Sequence, residues 1–520
     1  MERRQSSEPR QGGILILDFG SQYIRLIARR IRESGTFAEI LPYHTPIEQI
    51  RLRQPAGIIL SGGPSSVYGP NARHISKEIF DLGIPVLGIC YGMQLMAYLL
   101  GGRVMPGQTG EYGRQHFRVT GPSELFRGLP EQFNVWMSHF DTVESVPPGF
   151  DVAGRTPGVI AAMSNGHRRL YAVQFHPEVS HTEHGGQILE NFVKRICRAP
   201  QNWKPGNFIH SAISEIKRTV GNRKVVLGLS GGVDSSVAAL LIHRAIGDRL
   251  VNIFVDTGLL RLDEARQVME TYGRHFHMNI RYVDARNEFM QVLRGITDPE
   301  QKRKIIGRVF VEVFQREAAS VPDAAFLAQG TIYPDVIESV QAEGGPTATI
   351  KSHHNVGGLP EKLHLRLLEP LRYMFKDEVR RLGRLLGMPE ELINRHPFPG
   401  PGLAVRIPGE ITPEKVEMLQ HADAIFMDEL RSRGWYGRVG QAFVVLLPVR
   451  SVGVMGDERT YGYTAVLRSV DTTDYMTAAW SRLPYELLET VSSRIINEVP
   501  GINRVLYDIS SKPPATIEWE

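Results

Sequence analysis

Mostly apolar stretches of four or five residues recur in the first part of this chain, at 14–17, 37–41, 57–60 and 85–89. Between them lie glycine turns or segments such as 23–33, whose apolar positions recur at helical spacing. Short, mostly apolar runs are how strands buried on both faces read, and their alternation with amphipathic helices predicts a parallel sheet covered by helices. The alternation restarts further on, with strands expected at 225–229, 250–255, 280–283 and 325–328 and helices at 208–220 and 236–246. Beyond residue 396 it stops. A helix at 413–431, strands at 441–448, 450–455 and 463–467, a helix at 485–499 and a strand at 505–509 predict an α+β arrangement. Two breaks separate these regions. One is a polar stretch with two prolines at 200–206; the other is His396-Pro-Phe-Pro-Gly-Pro-Gly402, too rich in proline and glycine for regular structure. Three domains are expected, at 12–202, 203–395 and 396–520.

The strand at 85–89 runs into Gly88-Ile-Cys-Tyr-Gly92 and then into a helix. A Gly-x-Cys-x-Gly at a strand-to-helix turn is a nucleophile elbow with sulfur in place of the serine oxygen. Its glycines relieve crowding at a tight turn, and the helix N-terminus favours a thiolate at Cys90, the nucleophile an amide substrate needs. A base is offered by Tyr171-Ala-Val-Gln-Phe-His-Pro-Glu178, an apolar strand that ends on His176 with Glu178 two residues on to orient the imidazole. Fixed donors for an oxyanion are expected after the strand at 57–60, in Ser61-Gly-Gly-Pro64, with the N–H groups of Gly63 and Tyr91 as candidates.

A second chemical element follows the strand at 225–229: Ser230, Gly231, Gly232, Val233, Asp234, Ser235 and Ser236, leading into a helix. Helix-terminal N–H groups, the serine hydroxyls and the helix dipole together make a phosphate seat. No lysine follows the glycines, so this is not the Walker loop of phosphoryl transfer. Asp256 ends the next strand, placing a carboxylate at the sheet edge where open α/β folds bind ligands. The run Lys302-Arg303-Lys304 reads, by itself, as a solvated helix face.

Composition changes this picture little. A chain of 520 residues, 42% hydrophobic and 22% charged, is long enough for several cores and close to an average globular protein. A net charge of +4 over that length gives no argument for a nucleic-acid partner. Two cysteines, Cys90 and Cys197, cannot form a disulfide scaffold and fit a reducing compartment. The first eleven residues are polar, neither a secretory signal nor a membrane span, and a cytoplasmic enzyme is expected.

The string Ser-Gly-Gly-Val-Asp-Ser-Ser resembles the pyrophosphate loop of the ATP pyrophosphatases, which attach AMP to a substrate oxygen and release pyrophosphate. Cysteine, histidine and glutamate in that chain order resemble the triad of class I glutamine amidotransferases. This implies that Cys90 attacks the glutamine amide, His176 shuttles protons and Glu178 orients the ring. With Lys302-Arg-Lys-Ile-Ile-Gly307, Thr331-Ile-Tyr-Pro-Asp-Val-Ile-Glu-Ser339, Lys351-Ser-His-His-Asn-Val-Gly-Gly358 and the His396 motif, the chain as a whole resembles the glutamine-hydrolysing GMP synthase family.

The fold class so implied is α/β: a class I amidotransferase domain, an adenine-nucleotide α-hydrolase-like domain with the pyrophosphate loop, and a C-terminal α+β dimerisation domain. The resemblance implies glutamine, ATP and xanthosine 5′-phosphate (XMP) as substrates, a homodimer, and Mg²⁺ held with the phosphates by Asp335 and Glu338 near a lid carrying Lys351 and His353. XMP would be gripped by Lys512 at its phosphate, by Glu518 at its ribose or base, and by Arg303, Gln441 and Asp457. Two positions depart from the family pattern: Ile24-Arg25 after Asp18-Phe-Gly-Ser-Gln-Tyr23, and Phe140 after Met137-Ser-His139. Other amidotransferases of the same activation chemistry, such as an NAD synthetase or a tRNA-thiolating enzyme, share Ser230 to Ser236. They would carry a nitrilase-type partner or CxxC and RNA-binding features, which this sequence lacks. A regulatory scaffold derived from the enzyme would be expected to lose catalytic residues, and Cys90, His176 and Glu178 are all present.

Overall fold

The computed structural model describes residues 11–107, 110–342, 365–455, 458–472, 475 and 477–520, with the side chains of 338–342 and 455 left aside. Its contacts divide the chain into two units after Phe208. The first is organised on a nine-stranded sheet of order β2-β1-β3-β4-β11-β10-β9-β6-β7, and β5 (Arg103–Met105) and β8 (Thr142–Ser145) pair separately. The parallel part joins β1 (Ile14–Asp18), β2 (Ala38–Pro42), β3 (Gly57–Leu60), β4 (Val86–Ile89) and β11 (Leu170–Val173). The other four strands run antiparallel: β6 (Glu111–Val119), β7 (Gln132–His139), β9 (Asp151–Thr156) and β10 (Val159–Asn165).

The expected parallel sheet is therefore a mixed one. Within the antiparallel half β6 escapes an apolar-run reading because it is mostly polar, with Phe117 its only buried side chain, whereas β10 carries an apolar run at 159–163. The core under the parallel half packs Leu15, Leu17, Ile58, Leu60 and Val86 against Met93 and Met96 of the helix Tyr91–Leu99.

The second unit opens with a five-stranded sheet of order β14-β13-β12-β15-β16, every pair parallel: β12 (Lys224–Gly228), β13 (Leu250–Asp256), β14 (Ile280–Asp284), β15 (Ala324–Ala328) and β16 (Arg366–Leu368). Its second sheet pairs β17 (Gln441–Met455) with β18 (Glu458–Asp471), which also takes β19 (Ala479–Trp480) and β20 (Ile502–Asp508). The strands expected separately at 441–448 and 450–455 are one. A register shift between Leu447 and Arg450 absorbs Pro448, which has no N–H to give a ladder. One apolar core serves both sheets, from Val226, Ile253 and Leu327 through Leu403 and Phe426 to Val444, Leu467 and Ile495.

Candidate active sites

In the first unit, β4 delivers Cys90 to a turn where its φ is +54°, a conformation that costs a non-glycine residue about 1–3 kcal/mol and persists only where the surroundings enforce it. The enforcement is visible. The Cys90 N–H is held by Val173 O at 2.8 Å on the neighbouring strand β11, and the helix after it begins with Met93 N–H on Cys90 O at 3.0 Å. Gly92 has no room for a Cβ, which would fall against the Leu60 carbonyl, and that contact sets the helix tightly on β3.

His176 follows the end of β11. Its Nδ1 lies 2.8 Å from Glu178 Oε1, and Glu178 is fully buried with its second oxygen unpartnered among the described residues. Burial opposes charge on this imidazole, but the Glu178 carboxylate and a hydrogen bond with Cys90 outweigh it and hold the His176 pKa well above its ordinary value. Gly62 lies between the partners: a Cβ there would sit 3.1 Å from His176 Cε1 and 3.6 Å from the Cβ of Cys90. The cysteine, histidine and glutamate are thus one constellation beside the Ser61-Gly-Gly turn. Among the described residues neither Gly63 N–H nor Tyr91 N–H has a hydrogen-bond partner.

The lip of this site comes from the end of β7. Cys90 Sγ lies 3.7 Å from Ser138 O, while Gln94 Nε2 donates to Asp141 O at 2.7 Å and His139 is pinned by Glu111 at 2.9 Å and by Asp141 O at 3.0 Å. Phe140, after His139, is 58% exposed and packs edge-on against Tyr112 at 5.6 Å. Ile24 is buried at the start of the helix Ile24–Glu33.

In the second unit the loop after β12 leads into the helix Val233–Ile246, which starts three residues before the expected position. Gly231 has φ +71°, and the hydroxyls of Ser230 and Ser235 meet at 2.9 Å. Ser236 is buried. Its hydroxyl donates to Gly232 O at 2.8 Å and accepts from Tyr272 O–H at 2.7 Å, so it shapes the loop rather than facing a ligand. Asp256 is likewise occupied, taking Gly258 N–H at 2.9 Å and Tyr282 O–H at 2.9 Å.

Three residues that sequence reasoning did not single out close on this loop. Lys376 Nζ pairs with Asp234, Arg395 donates to Gly231 O at 3.3 Å, and a Cβ on Gly330 would lie 2.8 Å from Ser235 N. The sequence offered a cue only for Gly330, which adjoins the Thr331–Ser339 motif; Lys376 starts the helix Lys376–Leu385 and Arg395 follows the helix Glu390–Ile393. Asp335 accepts Ile332 N–H at 3.0 Å in the first turn of the helix Tyr333–Ala342. The Glu338 side chain, Lys351 and His353 lie outside the described residues, as does Asp457.

Of the expected nucleotide residues, Arg303, Gln441 and Glu518 lie where the chain's last segment, 508–520, meets the helix Pro299–Ala319 and β17. Gln441 Nε2 donates to Glu518 Oε1 at 2.8 Å, and Arg303 donates to Glu520 O. Lys302, expected on a solvated face, is fully buried instead, with Nζ on Ile407 O at 2.7 Å and on Glu520. Lys512 Nζ reaches Tyr475 O at 2.7 Å and lines an open pocket of about 630 Å³ with Arg438, Gly440, Thr472 and Ser511. His396 pins the proline-rich loop to β17: its Nδ1 accepts Ala442 N–H at 3.3 Å, Nε2 donates to Tyr436 O at 2.8 Å, and burial pushes its pKa down to about 4.

Three family models match in order: glutamine amidotransferase class-I over residues 15–196, NAD synthase over 207–290, and GMP synthase C terminal domain over 428–519. Similar curated proteins are the GMP synthase [glutamine-hydrolyzing] of Fusobacterium nucleatum, 58% identical over 98% of this chain and 100% of its own length, that of Nitrosomonas eutropha, 58% identical over 98% and 99%, and that of Aquifex aeolicus, 54% identical over 98% and 99%.

Proposed function

The chain belongs to the glutamine-hydrolysing GMP synthases, and from that premise we propose how its residues divide the work. The enzyme makes GMP from XMP, ATP and glutamine, through an amidotransferase domain and an ATP-using synthetase domain. In our reading Cys90 Sγ attacks the side-chain amide of glutamine, with His176 taking and returning the proton and Glu178 fixing the ring. The oxyanion meets Gly63 N–H and Tyr91 N–H. Ammonia leaves on forming the thioester; water then releases glutamate. The observation that carries this half is the His176 imidazole held between Glu178 and Cys90, 2.8 Å from the carboxylate.

In the other half the C2 oxygen of XMP attacks the α-phosphorus of ATP and pyrophosphate leaves. Ammonia then adds to C2, and AMP departs with that oxygen. The loop 230–236 would seat the pyrophosphate through backbone N–H groups and the hydroxyls of Ser230 and Ser235, with Lys376 exchanging its partner Asp234 for phosphate oxygens. XMP would be met by Arg303, Gln441, Lys512 and Glu518, with Asp457 as a further contact.

Among the described residues no group of three or more His, Cys, Asp or Glu could hold a metal by protein ligands alone. Mg²⁺ arriving with ATP needs less, since phosphate and water oxygens supply most of its shell. Asp335 is a hard-oxygen donor that fits this demand, with Glu338 its proposed companion. Bound there, the ion would neutralise charge on the departing pyrophosphate.

We keep the functional boundaries at 12–202, 203–395 and 396–520, although one core serves the last two. A homodimer is supported by the exposed Val449, Val452, Val454 and Tyr461 on the β17–β18 hairpin. Among the described residues no helix is long and apolar enough to cross a membrane, and we place the enzyme in the cytoplasm with its nucleotide substrates.

The direct test is XMP consumption with ATP and Mg²⁺, run with glutamine and with ammonium chloride, scoring AMP against ADP. AMP from both nitrogen sources is expected; ADP as the adenine product would overturn the activation step.

Two substitutions probe the two halves. Glu178→Gln removes the charge that offsets burial of His176, so the His176 pKa should fall and glutamine hydrolysis should drop by about 10²–10⁴-fold, with ammonia-dependent synthesis unchanged. Lys376→Met should raise the KM for ATP by roughly ten-fold while leaving hydrolysis at Cys90 intact, as initial rates would report.

A further inference from the structure

The last segment of the chain is fastened by cations that exclude water almost completely. Arg468, fully buried, donates to Thr516 O at 3.0 Å and Ile517 O at 3.4 Å and pairs with Asp508 at 3.2 Å, so it holds the segment by its backbone. Arg406, also fully buried, does something different. Its Nε donates to Glu518 Oε2 at 3.1 Å and its NH2 to Glu518 Oε1 at 3.0 Å, a fork on one side chain, while NH1 lies 3.9 Å from the buried Asp423 Oδ1. The guanidinium lies 4.2 Å from the centre of the Phe443 ring and 5.2 Å from that of Phe398, so two aromatic rings flank it. Gln441 Nε2 completes the grip on Oε1 at 2.8 Å.

A carboxylate offers about four acceptor positions on its two oxygens. Arg406 and Gln441 take three, two on Oε1 and one on Oε2, leaving one on Oε2. We infer that Arg406 is a positioning residue for nucleotide recognition: it fixes Glu518 so that one acceptor position, in one direction, is left for an N–H or O–H donor of XMP. The inference rests on the assignment of Glu518 to the XMP site. It goes further by naming a residue that never touches substrate and by predicting that a lysine, with charge but no planar fork, cannot replace it. Loss of the fork would free Glu518 without freeing the segment, because Arg468 still holds the neighbouring carbonyls.

The test is a double-mutant cycle on the full-length enzyme, using saturating ammonium chloride as nitrogen source so that the Cys90 site plays no part. Arg406→Lys and Glu518→Gln are each expected to raise the KM for XMP by roughly ten-fold or more, with the KM for ATP within about three-fold of the parent. The double variant should be no worse than Glu518→Gln alone. A merely structural role for Arg406 would lower the melting temperature, change both KM values together and add to Glu518→Gln; that outcome overturns the inference. A normal KM for XMP in Arg406→Lys alongside a raised one in Glu518→Gln overturns it while sparing the site assignment. A normal KM in Glu518→Gln overturns the assignment and the inference with it. Should Arg406→Lys fail to fold, Arg406→Gln in the Glu518→Gln background leaves no charge stranded at position 518, while Asp423, 3.9 Å from Arg406, keeps Arg261 at 3.7 Å; any further rise in the KM for XMP there has the same overturning force.

Discussion

Cys90→Ala is expected to abolish glutamine-dependent GMP formation, by three orders of magnitude or more on the order of magnitude usual for a lost nucleophile, and to leave ammonia-dependent formation within about two-fold of the parent. The argument is chemical and structural together. Without sulfur no thioester forms, and neither His176 nor Glu178 can substitute, since both are buried and committed to each other at 2.8 Å. The elbow itself should survive, because its geometry comes from Val173 O, Gly92 and the helix Tyr91–Leu99 rather than from the thiol. Ammonia supplied in solution bypasses the first unit. Parallel initial-rate assays with the two nitrogen sources check this, and loss of both activities in a folded variant would contradict the division of labour.

Gly330→Ala should have the reciprocal effect. The new methyl carbon would lie 2.8 Å from Ser235 N, 2.9 Å from the Asp234 carbonyl carbon and 3.1 Å from Ser235 Cα. All three are backbone atoms, which cannot rotate aside, so the first turn of the helix Val233–Ile246 must move. Ser235 N–H belongs to the proposed anion seat, and a displacement of this kind costs about 10²-fold in a positioned reaction. Both glutamine- and ammonia-dependent synthesis should fall together, while alkylation of Cys90 by iodoacetamide proceeds at the parental rate. Unchanged synthesis would mean that the pyrophosphate does not rest on this turn.

How much of this was legible differs from element to element. The run 57–60 became β3 with the expected bounds because three apolar residues after Gly57, between turn formers, admit little else. The strand-to-helix turn at Cys90, the His176–Glu178 pair and the glycine turn into the helix Val233–Ile246 were readable because each is local: a cysteine between glycines, a histidine two residues from its carboxylate, and hydroxyls within one helical turn. β6 was not readable, since a mostly polar strand has too few apolar residues to announce its period. Nor was Lys302, whose burial depends on Ile407 O and Glu520, more than a hundred residues away. Arg406 belongs with it: a single arginine in an apolar stretch has no periodicity, and its meaning appears only when Glu518 folds back onto it. The ligands for those cations are set by tertiary structure, which a pattern along the chain cannot carry.

The central claim is that the C2 oxygen of XMP leaves as part of AMP, activated on the phosphate loop and displaced by ammonia. XMP labelled with ¹⁸O at C2, turned over with ATP and glutamine and analysed by mass spectrometry, tests it directly. The account predicts the label in the phosphate group of AMP, one oxygen per GMP formed. Label found in water, or in pyrophosphate or free phosphate, would contradict it.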